Sequence, residues 1–421
     1  MPTTKFGVFM AWTILRNGRN REGDPIDVEI TEGRIVALRS ASTAPMADGE
    51  VDLDGRLVLP LLVNGHAHLD KTFLGTEWQP HVPGSSVIER IKIEKRLRAD
   101  LVESAGDRER LLAERMIEFG TGALRTHVDV DAALGLSGLE RMLKLREDLR
   151  GLLDIQLVAF PQSGIVRDPG SYELLEEAIR LGAEVIGGID PIGIDGDVDG
   201  HLDAVFGLAD RRGAMIDIHL HAVGDDAVRE YRGIITRTRA LGMEGRVVLS
   251  HAFGLGALGA REQEEIFNAL AELRIAIMSN GPAGLMPPVK QLAEQGVIVF
   301  AGSDNVRDAW WPFGSGDVLD VARNIACRSG FLRDEDLGLA LDLATSNGAC
   351  ALGLPTCGPK VGEPADLLVV DAGSAAEAVA NPPVGRDVMR SGEWVSRRRL
   401  HTVSGPTNRR ESPAQFTSAL S

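Results

Sequence analysis

Two histidines flank a single alanine in "NGHAHLDK", at His66 and His68, directly after the apolar run "LVLPLLV". In an extended strand residues i and i+2 point to one face, so both imidazoles can reach one point. A second pair, His219 and His221, follows "MIDI"; His251 follows "RVVLS" and Asp304 follows "VIVFAGS". His66, His68, His219 and Asp304 make a donor set of three nitrogens and one oxygen. Such a set suits zinc or ferrous iron better than calcium or magnesium, which take more oxygens. A divalent ion with an open position lowers the pKa of its bound water towards neutrality and supplies a hydroxide nucleophile. Asp304 could bind the ion and also take the water's proton. His251 could be a further ligand, or could stand off and hold that water. His221 faces the same way if its strand persists, and could protonate a nitrogen leaving group as a C–N bond breaks. Gln162 offers an amide to a carbonyl or ring nitrogen of a planar substrate. Lys71, Asp190 and Trp310 are candidate lining for the same pocket.

These residues are far apart in the chain but share one kind of position. Between about 57 and 350 the sequence alternates short apolar runs with longer amphipathic stretches such as "DRERLLAERMIEFG" and "SYELLEEAIRLG". Eight runs can be counted: "LVLPLLVNGHAH", "GALRTHVDVD", "DIQLVAFPQSG", "EVIGGIDP", "MIDIHLHA", "RVVLSHAFG", "RIAIMSN" and "VIVFAGSDN". Eight β-then-α units predict an α/β fold with a (β/α)8 TIM-like barrel. Each run is apolar at its start and polar at its end, and six of the nine histidines fall at those ends. In a barrel the strand ends converge on one face, where the active sites of such enzymes lie. His81, His201 and His401 fall outside the pattern and read as solvated or structural. Both chain ends have a β texture, with "IDVEITEGRIVALRS" early and "GEPADLLVVDAG" and "VMRSGEWVSRR" late. The expected organisation is a β-sandwich from residues 1–59 and 355–404 around a barrel at 60–354, with a flexible tail at 405–421.

The bulk numbers limit the partners. The chain has 421 residues, 61 acidic against 45 basic, and a formal charge of −16. That balance argues against nucleic acid or an anionic membrane surface as the main partner. Three cysteines, none in a CxxC pair, do not make a disulfide framework. "MPTTKFGVFMAW" carries no signal-peptide pattern, and no stretch approaches the roughly 18 apolar residues of a membrane span. The expected location is cytoplasmic.

The HxH after the first strand, the later histidines at strands five and six and the aspartate at strand eight resemble the amidohydrolase superfamily. "GRLVLPLLVNGHAHLDK" and "GEPADLLVVD" resemble its domain boundaries. "RTHVDVD", "DIQLVAFPQSG", "IDIHLH" and "SDNVRDAWWPFGSGD" are most similar to its cytosine deaminase branch, and within it to the triazine-degrading N-isopropylammelide isopropylaminohydrolases. The resemblance runs from about residue 12 to 400. It implies a composite β-sandwich beside the barrel, and one divalent metal ion per chain, zinc first, with iron or manganese as alternatives. It implies His66, His68, His219, Asp304 and often His251 as ligands. His221 would act as acid and base, with Gln162, Lys71, Asp190, Trp310 and Asn305 lining the substrate pocket. The implied partner is a small heterocyclic molecule, and the implied assembly a homo-oligomer. Two positions depart from cytosine deaminases, which carry a glutamate where Ala222 stands and a second acid where Asn305 stands. Both argue against cytosine as substrate. The expected reaction is hydrolytic release of ammonia or an alkylamine from an amino-triazine or amino-pyrimidine. The alternatives are cytosine deamination proper, cyclic amide hydrolysis and a non-catalytic binding protein with a vestigial site.

Overall fold

The computed structural model describes residues 12–99, 101, 104–355 and 358–397. The tail expected at 405–421 lies outside the described residues, as do Cys357 and His401. The chain opens with β1 (Trp12–Arg19), β2 (Pro25–Thr31), β3 (Arg34–Ser40), β4 (Val51–Asp52) and β5 (Leu57–Pro60). It then enters eight strands: β6 (Leu62–Ala67), β7 (Thr121–Asp129), β8 (Asp154–Phe160), β9 (Val185–Ile189), β10 (Met215–His219), β11 (Val247–Ser250), β12 (Ala276–Ser279) and β13 (Val299–Ala301). Three more, β14 (Leu367–Val370), β15 (Arg386–Arg390) and β16 (Glu393–Arg397), return to the opening segment. Their sheet runs β16-β15-β14-β5-β1-β2-β3, with β4 on β1, so both ends of the described chain share one sheet.

Strands β6 to β13 pair in chain order and in parallel. Each matches one of the eight apolar runs. Parallel strands covered on both faces need apolar residues throughout, which is why they read as continuous runs. The ring closes at one bridge, Ala67 to Asp304, supported by the Asp304 N–H donating to the His66 carbonyl at 2.8 Å. That closure requires a close approach. A Cβ on Gly302 would stand 2.5 Å from His66 Cβ and 2.8 Å from its carbonyl oxygen, so only glycine lets the seam shut there. Asn64 stitches the same seam, its Oδ1 accepting from the Ser303 N–H at 2.9 Å and its Nδ2 donating to Ser303 Oγ at 2.8 Å.

Helices cover the outside of the ring and share with it the largest apolar core. Inside the ring the side chains change along the axis. Near the strand starts Val63, Ala123, Val248, Met278 and Phe300 form an apolar plug. Beyond it lies a buried polar layer of Arg125, Asp217, Ser250 and His127. The candidate site sits past that layer, at the strand ends.

Candidate active site

The candidate donors arrive at the ends of four strands. His66 lies in β6 and His68 just after it; His219 ends β10; His251 and Asp304 follow the ends of β11 and β13. His251 (φ 67°), Asp304 (φ 55°) and Asp190 (φ 34°) all hold left-handed backbone. Such conformations cost a non-glycine residue about 1–3 kcal/mol each and persist where the surroundings enforce them. Here they turn three side chains sharply off their strands.

The nitrogens converge. His68 Nε2 stands 3.3 Å from Nε2 of both His66 and His219. Asp304 Oδ1 lies 3.5 Å from His66 Nε2 and 3.4 Å from His68 Nε2. In a tetrahedral set with bonds of about 2.1 Å, neighbouring donors stand roughly 3.4 Å apart. Burial holds His68 and His219 well below the usual histidine pKa, helped at His68 by Lys71 and at both by the neighbouring histidines, so their rings are neutral. A neutral imidazole has one lone-pair nitrogen, and rings so placed can turn those nitrogens to a single point. The donor set therefore fits a divalent ion. His251 stands further out. Its Nε2 is 4.0 Å from Asp304 Oδ2, and burial brings its pKa down to about 3. That same Oδ2 accepts from Asn280 Nδ2 at 2.8 Å, so Asn280 orients the carboxylate. Burial alone would push the Asp304 pKa up, but His251 and His66 outweigh it and keep the carboxylate ionised.

His127 packs beneath the cluster, its ring centroid 3.9 Å from that of His66. Its nitrogens fall within 4.8 Å of possible donors on His66 and His68, and on Asp217 and His219, so it is a further candidate donor. Neither ring nitrogen has a hydrogen-bond partner among the described residues.

A cavity of about 550 Å3 opens over these groups. His68, His219, His221, His251 and Asp304 line it, as do Lys71, Gln162, Asn305 and Trp310. His66 is fully buried behind them. Asp190 stands directly behind His221, outside the side chains that line the cavity. Its Oδ1 accepts from the His221 N–H at 2.7 Å and its Oδ2 lies 2.8 Å from His221 Nδ1. Both oxygens are engaged by His221 because the left-handed backbone at Asp190 turns the side chain towards that loop. His221 itself lies past the end of β10 and is not a strand residue. The Asp190 contact takes over the strand's role of aiming it. Burial alone would lower the His221 pKa, but Asp190 outweighs it and raises it.

The opposite wall is organised by Glu94, which sequence reasoning missed. Glu94 is fully buried in helix Val87–Ala99. Its Oε2 accepts from Trp310 Nε1 at 2.6 Å and from Gln162 Nε2 at 3.0 Å, and lies 3.5 Å from Lys71 Nζ. Lys71 also donates to Gln162 Oε1 and lies 3.1 Å from Asp129 Oδ1. Burial alone would lower the Lys71 pKa, but Asp129, Glu94 and Asp70 outweigh it and keep the ammonium charged. Asn305 Nδ2 donates to Asp308 Oδ2 at 2.5 Å. His201 is buried and pairs through Nδ1 with Asp195 Oδ2 at 2.7 Å, away from the cavity.

The profile of the amidohydrolase family matches residues 49–395. N-isopropylammelide isopropyl amidohydrolase of Pseudomonas sp. (strain ADP) is 31% identical, with 91% of this chain and 96% of that protein covered. The crystal structure of N-isopropylammelide isopropylaminohydrolase from Burkholderia multivorans ATCC 17616 superposes with a TM-score of 0.87 and 41% identity, covering 92% of this chain and 99% of that one. That of 5-methylcytosine deaminase from Klebsiella pneumoniae liganded with 5-fluorocytosine superposes with a TM-score of 0.85 and 28% identity, covering 94% and 100%.

Proposed function

The chain belongs to the amidohydrolase family as a hydrolase of carbon–nitrogen bonds, and from that premise we propose a mononuclear, metal-dependent aminohydrolase that releases ammonia or an alkylamine from a planar nitrogen heterocycle of the amino-triazine or amino-pyrimidine type. The observation that carries this reading is the meeting of His66, His68, His219 and Asp304 beside a cavity that His221 also lines. A divalent ion held by those four residues would supply Lewis acidity and a water of lowered pKa. Zinc is our first choice for a set of three imidazoles and one carboxylate, with iron or manganese after it.

The side chains around the ion divide the proton work. Asp304, oriented by Asn280, accepts the proton of the attacking water. His251, whose Nε2 lies 4.0 Å from Asp304 Oδ2, would help hold that water. His221, fixed through Nδ1 by Asp190, presents Nε2 to the leaving nitrogen and protonates it. Water adds to the ring carbon, one of its protons passes by way of Asp304 to the ring nitrogen, and the other replaces the proton His221 gives to the leaving amine, so a neutral amine departs and a ring carbonyl beside an N–H remains. Lys71 and Gln162 hold the polar edge of the ring, and Trp310 and Asn305 complete its surroundings.

This reading puts cytosine second, because Ala222 and Asn305 stand at positions where the resemblance to cytosine deaminases implies acids. A two-metal cyclic amide hydrolase would need a bridging lysine at the fourth barrel strand, and β9 reads VIGGI. The same reading assigns residues 60–354 to the catalytic barrel and 1–59 with 355–404 to the smaller β domain. It takes the assembly to be a homo-oligomer, which light scattering tests. The experiment for the reaction counts metal on purified protein. It then scans amino-triazines, amino-pyrimidines, pterins and their N-alkyl forms for released ammonia or amine. One ion per chain with release from an N-alkylated ring supports the proposal. Two ions per chain, or metal-free turnover, overturns it.

A further inference from the structure

One group of polar side chains inside the barrel has no part in the chemistry above, yet it leads to a proposed ligand. Arg125, on β7, donates through Nη1 to Asp217 Oδ2 at 3.0 Å and through Nη2 to the Ala351 carbonyl at 3.2 Å. Asp217, on β10, accepts through Oδ1 from Ser250 Oγ at 2.6 Å. Ser250 ends β11, and its Oγ lies 3.0 Å from His66 Nδ1. Arg125, Asp217, Ser250 and His66 are all fully buried, so bulk water does not compete for these bonds.

The direction of each bond follows from counting protons. A hydroxyl has one proton to give. Asp217, facing the Arg125 guanidinium, is a carboxylate that only accepts, so Ser250 gives its proton there. Ser250 Oγ is then the acceptor at the His66 end, and His66 carries its proton on Nδ1. Its Nε2 is left as a lone pair, directed at His68 Nε2 and Asp304 Oδ1. His66 differs in this from its neighbours. Nδ1 of His68, His219 and His251 has no hydrogen-bond partner among the described residues.

We infer that Ser250, backed by Asp217 and Arg125, is a positioning residue that fixes the tautomer and angle of His66 and thereby sets the affinity of the site for its ion. The inference rests on the ligand set proposed above. Outer partners of ligating histidines typically contribute about 10- to 100-fold to metal affinity.

The test measures zinc affinity by competition with a chromogenic chelator, using zinc alone as the probe. Ser250→Ala should bind zinc about 10- to 100-fold more weakly, with the melting temperature of the metal-free protein near wild type. Ser250→Thr keeps the hydroxyl and should restore most of the affinity. Zinc affinity in Ser250→Ala within about twofold of wild type overturns the inference. His68→Ala separates the two levels: if it holds zinc as tightly as wild type, the ligand set falls and this inference with it. A measurement on the wild type needs no variant to fold. The nitrogen-15 shifts of His66 in the metal-free protein should report a proton on Nδ1, and a proton on Nε2 overturns the inference.

Discussion

Asp190 holds His221 at two points, its Oδ1 on the backbone N–H at 2.7 Å and its Oδ2 on ring Nδ1 at 2.8 Å. The carboxylate thus fixes the loop and the ring together and leaves Nε2 as the free end. If His221 carries the proton to the leaving nitrogen, its loss removes general acid catalysis, typically worth about 100- to 10,000-fold. His221→Gln should therefore lower kcat by about 100-fold or more with metal content still near one ion per chain. Asp190→Asn should act in the same direction, because an amide can offer its N–H to Nδ1 and reverse the tautomer. Metal loss in step with activity in His221→Gln would make His221 a ligand instead.

The convergence at His68 gives a second prediction. His68 Nε2 is 3.3 Å from two other imidazole nitrogens and 3.4 Å from Asp304 Oδ1, so it stands at the centre of the donor set. His68→Ala and Asp304→Asn should each abolish turnover and strip the metal, as measured by atomic emission on the purified variants. His251, at 4.0 Å from Asp304 Oδ2, should behave differently. His251→Ala should keep most of its metal and lose turnover. An active, metal-free His68→Ala protein would sink the metal-dependent mechanism.

Glu94 gives a third. One buried carboxylate oxygen takes the Trp310 indole N–H and the Gln162 amide N–H, and sits beside Lys71. Glu94→Gln keeps the shape but replaces charged acceptors with a neutral one. Hydrogen bonds to charged groups are worth about 1.5–3 kcal/mol, so KM should rise roughly 10-fold or more. Metal content should not change. Trp310 emission should shift as its N–H loses the carboxylate. A variant with unchanged KM and unchanged tryptophan emission would show that Glu94 serves the fold and not the pocket.

These residues differ in how far the sequence reveals them. The barrel was legible because buried parallel strands need uninterrupted apolar runs, and the polar residue that breaks each run marks its exit from the core. His66, His68, His219, His251 and Asp304 stand at such exits. Glu94 does not. It lies in "VIERIKIEKRLRA", whose charges read as a solvated helix face, and only the packing of that helix over the barrel mouth buries it. Asp190 stands at such an exit too, but its hold on His221 depends on a backbone φ of 34° that no spacing rule encodes. Ser250 gives no signal at all, since its role depends on Asp217 in a neighbouring strand.

Glu230 gives the last prediction, and it concerns stability. Its Oε1 accepts from the Ile192 N–H at 3.1 Å, next to Asp190, and its Oε2 has no hydrogen-bond partner among the described residues. Burial pushes its pKa up to about 8, with Asp190 and Asp226 adding to the rise and His221 opposing it. A carboxyl whose pKa rises on folding binds its proton more tightly in the native state. Its contribution is fully present below its unfolded pKa near 4.5 and is lost as the pH climbs to about 8. The loss is bounded by about 1.4 kcal/mol per pH unit across that window. Glu230→Gln keeps an acceptor for Ile192 and cannot ionise. Its melting temperature should match wild type near pH 5 and exceed it near pH 9, with a flatter profile between. Parallel profiles for the two proteins would mean that Glu230 titrates as an ordinary solvated glutamate and that the loop carrying Asp190 is not held by a neutral carboxyl.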